Sequence, residues 1–357
     1  MIIFRPAQLS DIQQIERLAH ESGPMVYTLP AQRSHLIKKV ERSIDSFRQD
    51  VFSPGEESYF FVLEETMTGQ ILGTGAINAL AGYQEPFYAL RNDILIHSSR
   101  ELKVHSRIHA LTLNHDLSDH SQLCSFYVIP ALKNSLYPAL ITLGRLMFMS
   151  IHPERFTNDW LAVIPGVADK NGRAPFWEHV GRKFFRMDYN QVEYYNGTRD
   201  KTFIAELMPH HPLYVPLIDE EAQAVMGQVH PDAELQCGLL SEQGFEPDKY
   251  VEIFDAGPIL TANRNTLDIW QNHRLCRVKL VERLPQAQKY LIGVSTETDF
   301  RAVMAEAWLE GSTLLLEDEA LLALGIANSG SIESGRQVWC FPVNDSYFSF
   351  SDYISVQ

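Results

Sequence analysis

Leu123-Cys124-Ser125-Phe126-Tyr127-Val128-Ile129-Pro130 is an almost unbroken apolar and aromatic run stopped by proline. This is the pattern of a central strand buried on both faces. A polar loop follows, Lys133-Asn134-Ser135-Leu136, and then an apolar helix opened by Tyr137-Pro138. Strand, loop and helix start in this order make an anion site, because the unpaired N–H groups of the first helical turn and the helix dipole face the loop. Lys133 adds a positive charge there, and Asn134 or Ser135 can cap the helix. The loop has no glycine to bring its backbone close to a pyrophosphate, and Pro138 removes one donor, so an ordinary capped helix is the competing reading.

Working toward the N-terminus, residues 59–63 form a second buried aromatic and β-branched run, Thr66-Met67-Thr68-Gly69 is turn chemistry, and residues 70–77 return as a strand. Ahead of this hairpin, the first residues read as a strand. Ser10-Asp11-Ile12-Gln13 then offers a capping box for a first helix. A second helix is written by Ile37, Val40, Ile44 and Phe47 on one stripe, with Lys38, Lys39, Glu41 and Arg42 facing away. Beyond the core strand, residues 160–164 are a further strand, and Phe176-Trp177-Glu178-His179-Val180-Gly181 begins a helix. Strands and helices in this order specify a mixed α/β sheet with helices on both faces.

A shorter second series follows: a strand at 203–207, a helix at 219–226, a helix end at Leu240-x-x-x-Gly244-Phe245 and a strand at 250–254. The shared spacing of Trp177 to Gly181 and Leu240 to Gly244 suggests a duplicated unit. Turn residues at Asp255-Ala256-Gly257-Pro258 mark a boundary. Strands at 275–281, 290–294 and 338–343 with a short helix at 319–324 then read as a small β-barrel-like domain. The expected division is 1–190, 191–258 and 259–357.

With 30 Lys and Arg against 45 Asp and Glu, the net charge of −15 disfavours nucleic acid as a partner. Cys124, Cys237, Cys276 and Cys340 are scattered singly, without the paired spacing of a metal or disulfide framework, and read as reduced core thiols. The opening residues lack a signal peptide's apolar stretch. The longest apolar run, 137–151, falls short of the roughly 20 residues a membrane span requires and contains Arg145. A soluble, cytoplasmic protein without a membrane partner is expected. No serine-hydrolase elbow, P-loop or dinucleotide fingerprint occurs, and the 13 histidines show no metal-ligand spacing, so no metal is expected. His210-His211-Pro212 and Gly227-Gln228-Val229-His230-Pro231 stand out as histidines at element ends beside proline, although an exposed or structural histidine is the simpler reading of each.

Several blocks, in order, resemble the arginine N-succinyltransferases, members of the acyl-CoA N-acyltransferase superfamily. They include Tyr59-Phe60-Phe61-Val62-Leu63-Glu64 with Thr68-Gly69, His97-Ser98-Ser99-Arg100-Glu101-Leu102, Pro175-Phe176-Trp177 and Phe184-Phe185-Arg186-Met187-Asp188-Tyr189. Phe203-Ile204-Ala205-Glu206-Leu207-Met208-Pro209, Glu221-Ala222-Gln223, Gly227-Gln228-Val229-His230 and Ile253-Phe254-Asp255 continue the series, and beyond Pro258 the likeness weakens. The resemblance implies an acyl-CoA N-acyltransferase-like fold and transfer of a succinyl group from succinyl-CoA, as co-substrate, to the α-amine of arginine. It places the thioester where two central strands splay. It aligns Phe126, with Val128 on the same strand, to the succinyl-CoA contact and His230 to the proton donor, while Lys133, Asn134 and Ser135 would line the CoA phosphates.

The family's glycine-rich loop is replaced here by Lys133-Asn134-Ser135-Leu136-Tyr137-Pro138, and Val163-Ile164-Pro165 stands before Gly166 where a charged stretch is usual. The alternative is therefore a divergent relative, with altered acyl or amine specificity, or a non-catalytic partner subunit that has lost CoA binding. Arg100 and Lys133 are the cations offered for the succinyl carboxylate. Homo- and hetero-oligomers both stay open.

Overall fold

The computed structural model describes residues 1–344 apart from 170, 297, 329–330 and 333–335. In chain order, strand β1 (Ile2–Pro6) leads to helices α1 (Ile12–Ser22) and α2 (Arg33–Arg48), then β2 (Ser58–Glu65), β3 (Gln70–Asn78), β4 (Ala89–Ser99), β5 (Val104–Asn114) and β6 (Ser121–Val128). Helix α3 (Tyr137–Ile151) and β7 (Asp159–Val163) follow. A wide helical turn, Trp177–Gly181, continues into α4 (Arg182–Phe185), and α5 (Tyr189–Thr198), α6 (Thr202–Leu207), β8 (Leu213–Tyr214), α7 (Glu220–Val225), α8 (Glu234–Glu242), β9 (Glu246–Val251) and β10 (Pro258–Asn263) come next. The chain then runs through α9 (Asp268–Asn272), β11 (Arg274–Leu280), β12 (Gln288–Ser295), β13 (Phe300–Glu310), β14 (Thr313–Leu316), α10 (Asp318–Ala323), β15 (Ala327–Asn328), β16 (Ser331–Ile332) and β17 (Gln337–Pro342).

The strands join in the order β12-β17-β11-β14-β13-β1-β2-β3-β6-β7-β10-β9-β4-β5-β8, and β12 also pairs with β13. That extra pairing closes β11 to β14 and β17 into a five-stranded barrel, which shares β13 with the edge of the main sheet through Phe4 opposite Ala302. Ring closure removes the unpaired edges that such short strands would otherwise present. Inside it Cys276 and Cys340 face each other with sulfurs 3.3 Å apart.

The alternation of β2 shows how the main sheet is covered. Phe60 and Val62 point into a core with Ile12, Ile15, Leu18, Leu36 and Val40 of α1 and α2. Tyr59, Phe61 and Leu63 point the other way, into a core with Leu140, Leu143, Met147 and Phe148 of α3. A two-residue side-chain period thus buries both faces. The apolar α3 sits against the sheet without a residue to spare, since a Cβ on Gly144 would lie 2.6 Å from the Phe4 ring. A third core around Trp177, Phe185, Val192 and Phe254 packs helices α4 to α7 against β4, β5 and β9.

Several local expectations are corrected. Residues 203–207 are helix α6 rather than a strand; Asp200 Oδ1 accepts the N–H of Thr202 at 2.7 Å, starting a helical turn, and a short apolar run carries no period to exclude one. The N-terminal cap forms between Gln8 and Asp11, whose Oδ2 accepts the Gln8 N–H at 2.8 Å while also holding Arg5, and Ser10 does not serve. Lys39 does not face away, because its ammonium turns inward to the Thr28 carbonyl and the Ser125 hydroxyl, both at 2.7 Å. Strand β9 stops at Val251, and residues 252–257 form a tight turn. The mixed-polarity stretch before the core strand holds the long β4–β5 hairpin. Gly181 and Gly244 share a spacing but do different work: Gly181 admits the Trp177 ring, whereas Gly244, at φ +103°, ends α8.

Candidate active site

The central event is a divergence. Strands β6 and β7 are parallel and pair only at Ser121–Trp160, Gln122–Leu161 and Leu123–Ala162. Beyond Leu123 each strand keeps its other neighbour: β6 stays paired with β3 as far as Val128, and β7 with β10 as far as Val163. The ladder between them is open over that length.

A bulge accompanies the opening. Thr74 faces Tyr127 and Ala76 faces Cys124, so Ser125 and Phe126 together oppose Gly75. Ser125 takes the left-handed conformation, φ +51°, which costs a non-glycine residue free energy unless neighbours hold it. They do so from three sides. The Ser125 N–H donates to Thr28 Oγ1 at 2.9 Å, its hydroxyl donates to the Thr28 carbonyl at 2.8 Å while accepting from Lys39, and its carbonyl accepts from Thr74 Oγ1 at 2.8 Å. Burial pushes the Lys39 ammonium below its ordinary range.

Between the diverging strands lies a recess with about 40 Å³ of free space. Cys124, Ser125 and Phe126 line one side, Val163 and Pro165 the other, and Met25, Val26, Tyr27 and Thr28 cross it. Tyr189, Glu193, Glu252 and Asp255 complete the wall. The three acids are buried, and carboxylate oxygens from all three lie within 4.8 Å of one another. Glu252 Oε2 accepts the N–H groups of Phe254 and Asp255. Asp255 accepts from Gly166 and Gly257 at 2.8 and 2.7 Å and from the Tyr189 hydroxyl at 3.1 Å. Burial and mutual repulsion push Glu252 up to about 8 and hold Glu193 well above the carboxylate range. Asp255 is also raised by burial, against the pull of its N–H donors. Lys201, whose own pKa is lowered by burial, supplies the compensating charge nearby.

The sequence-derived residues fall around this recess unevenly. Phe126 is on its wall, half-buried, with the Arg145 guanidinium 5.6 Å from its ring centre. Val128 is buried in the core beneath α3, opposite Gly73. Ser135 donates to the Leu132 carbonyl and accepts the Tyr137 N–H just ahead of α3, whose N-cap position is Leu136 without a side-chain cap, so neither Asn134 nor Ser135 is the capping residue expected. Asn134 is exposed at the same bend. Lys133 pairs with Asp232 at 3.1 Å, which brings the loop after β6 against the turn that carries His230. The His230 N–H donates to the Pro165 carbonyl at 2.8 Å, one residue group from the recess. Its Nδ1 accepts the Asp232 N–H at 3.0 Å; Nε2 therefore carries the ring proton, 3.1 Å from the Ala168 carbonyl. Arg100 lies at the exposed tip of the β4–β5 hairpin, in contrast to the expectation that it could meet the acyl group.

The sequence reading did not single out Arg145, Glu193, Glu252 or Asp255 as residues of the site. Arg145 is fully buried on α3, bonds the Ile141 and Cys124 carbonyls at 3.2 Å, and leaves Nη2 without a partner. Burial lowers it to about 10. The only available signal was a charge inside an apolar run, as in Leu143-Gly144-Arg145-Leu146 and Val251-Glu252-Ile253-Phe254-Asp255.

Two further acids, Asp219 and Glu221, approach His179 within metal-ligand spacing at the surface, but Glu221 is already paired with Arg173. No helix among the described residues is long and apolar enough to cross a membrane.

Residues 2–269 match the family model described as arginine N-succinyltransferase beta subunit. The chain is 44% identical over 333 residues to the arginine N-succinyltransferase subunit alpha of Pseudomonas aeruginosa, covering 93% of this chain and 98% of that one. It is 34% identical over 339 residues to an arginine N-succinyltransferase of Yersinia pestis, covering 93% and 97%. Among solved structures, the arginine/ornithine succinyltransferase subunit AI of P. aeruginosa superposes with a TM-score of 0.88 at 40% identity, covering 96% of this chain and 99% of that one. The likeness therefore runs well past Pro258.

Proposed function

Because the chain belongs to the arginine N-succinyltransferase family, we propose that it transfers a succinyl group from succinyl-CoA to the α-amine of arginine, in arginine catabolism. The observation that carries this reading is the opening between β6 and β7 with Phe126 on its wall. An extended thioester arm can take the place of the missing strand pairing there, using backbone groups that no longer bond each other.

The chemistry is direct displacement. The neutral α-amine attacks the thioester carbonyl, the C–N bond forms as the carbonyl becomes an oxyanion, and a backbone N–H of the bulged strand stabilises that charge. The C–S bond then breaks, the nitrogen loses its extra proton, and the CoA thiolate gains one. His230 is the proton donor in this proposal. What supports it is its place, since its backbone N–H donates to the Pro165 carbonyl on the recess wall; the imidazolium formed when Nδ1 leaves the Asp232 N–H and takes up the amine's proton is what protonates the thiolate. Phe126 and Val128 are assigned to the strand along the acyl-CoA, and Lys133, Asn134 and Ser135 to the rim near its phosphates; Lys133 would have to leave Asp232 to do so.

Association with another chain is proposed as well, on the exposed apolar side chains of the β4–β5 arm, Ile94, Ile96 and Leu102. The decisive experiment incubates purified protein with succinyl-CoA and arginine and follows thiol release together with the mass of the product. Succinylarginine formed with one thiol per product supports the reading. A well-folded protein that releases no thiol with arginine or any other amine overturns it.

A further inference from the structure

Buried carboxylates are costly unless something compensates them. Glu193 is 3% exposed, Glu252 7% and Asp255 4%. Asp255 has partners at both oxygens, and Glu252 Oε2 is held by two backbone N–H groups. Glu193 differs, for its Oε2 is buried on the wall of the recess and has no hydrogen-bond partner. An orphaned acceptor there is an acceptor without its donor.

We propose that Glu193 and Glu252 are the binding residues for the acceptor's charged side chain, holding the guanidinium of arginine in the recess while its α-amine reaches the thioester beside Phe126. This rests on the proposed reaction and names the part of the site that selects its amine. The planar guanidinium offers five N–H donors in a fixed fork, able to meet two carboxylates at once. The acids come from separate elements, Glu193 from α5 and Glu252 from the turn after β9, and converge on the recess from both. The α-ammonium is the wrong tenant, because carboxylates that stabilise a cation would oppose the deprotonation that attack requires. Lys201 lies near Glu252 and Glu193, and a guanidinium between those two acids would favour the ionised form of both. Tyr27, Met25 and Val26 supply the half-apolar wall suited to the methylene stem.

Calorimetry with arginine and with citrulline, its neutral isostere, on protein saturated with CoA tests the proposal, using wild type, Glu193→Gln and Glu252→Gln. Unchanged CoA affinity and melting temperature serve as the folding control. The wild type should bind arginine at least tenfold more tightly than citrulline. Either variant should lose at least tenfold for arginine and less than threefold for citrulline. In turnover, Glu193→Gln should raise KM for arginine with kcat within threefold. Equal arginine binding by wild type and both variants, or no arginine binding by any of them, overturns the proposal. The transfer assay separates the two claims. Protein that binds arginine through Glu193 but releases no thiol overturns the reaction alone, and protein that succinylates arginine equally well after Glu193→Gln overturns the guanidinium site alone.

Discussion

Asp255 Oδ2 accepts the backbone N–H of Gly166 at 2.8 Å, fastening the turn after β9 to the segment that leaves β7. Its other oxygen closes the same turn on Gly257, where a Cβ would collide with the Ile164 carbonyl at 2.2 Å. One carboxylate thus sets where Glu252 stands relative to the open strand edge. Asp255→Ala would strand two buried N–H groups and the Tyr189 hydroxyl. At about 1 to 3 kcal/mol for each unsatisfied buried group, a loss of about 3 kcal/mol or more is expected in urea unfolding. Asp255→Asn keeps one acceptor and should lose clearly less.

Arginine binding should release protons near neutral pH. In the empty recess Glu252 is pushed up to about 8, so at pH 7 it holds a proton. A cation favours the carboxylate, so that proton leaves on binding, and affinity rises with pH until the acid is already ionised. Titration in buffers of different ionisation enthalpy should show release at pH 7 that fades above about 8. Uptake instead of release would contradict the sign.

The same acid makes the unliganded fold pH-dependent. The folded protein holds its Glu252 proton where the unfolded chain does not, so this contribution is full below the unfolded pKa and is lost as pH rises through about 8. Thermal melting across that window should show a decline. Glu252→Gln, which mimics the protonated acid, should flatten it.

His230→Ala is expected to lower kcat by about 10²-fold or more if the imidazole protonates the leaving thiolate, with CoA affinity little changed. Its Nδ1 also accepts the Asp232 N–H, so a melting curve must accompany the kinetics. A variant that melts like wild type and turns over at the wild-type rate removes His230 from the chemistry.

Lys133 and Asp232 form a half-exposed pair whose loss should change stability by only about 0 to 1 kcal/mol. Their effects on CoA affinity should oppose each other. Lys133→Ala removes a cation that can meet phosphate and weakens binding severalfold. Asp232→Ala frees that cation and strengthens binding. Parallel effects would show that the pair only fastens the two loops.

The central strand, the 59–77 hairpin, the apolar helix after Pro138 and the C-terminal strands were legible because each carries its own period or punctuation. Residues 203–207 were misread because five apolar-rich residues carry no usable period, and the only local sign was Asp200, which accepts the Thr202 N–H at the helix start. The β4–β5 hairpin was missed because its faces are mixed, with Ile94 and Ile96 exposed. Phe126 and His230 came from likeness to a family, while the acids of the recess gave only the sign of charges inside an apolar run, as at Glu252 and Asp255.

By itself, the sequence determined the central strand, the hairpin before it, the helix after it and the family to which they belong. The tertiary structure alone decided that β6 and β7 part after Leu123, that Lys39 and Thr28 hold the Ser125 bulge, and that Glu193, Glu252 and Asp255 meet. Local patterns follow from a residue's neighbours in the chain. A cluster assembled from α5 and the turn after β9 depends on the distance between segments far apart in sequence, which only the packed fold fixes.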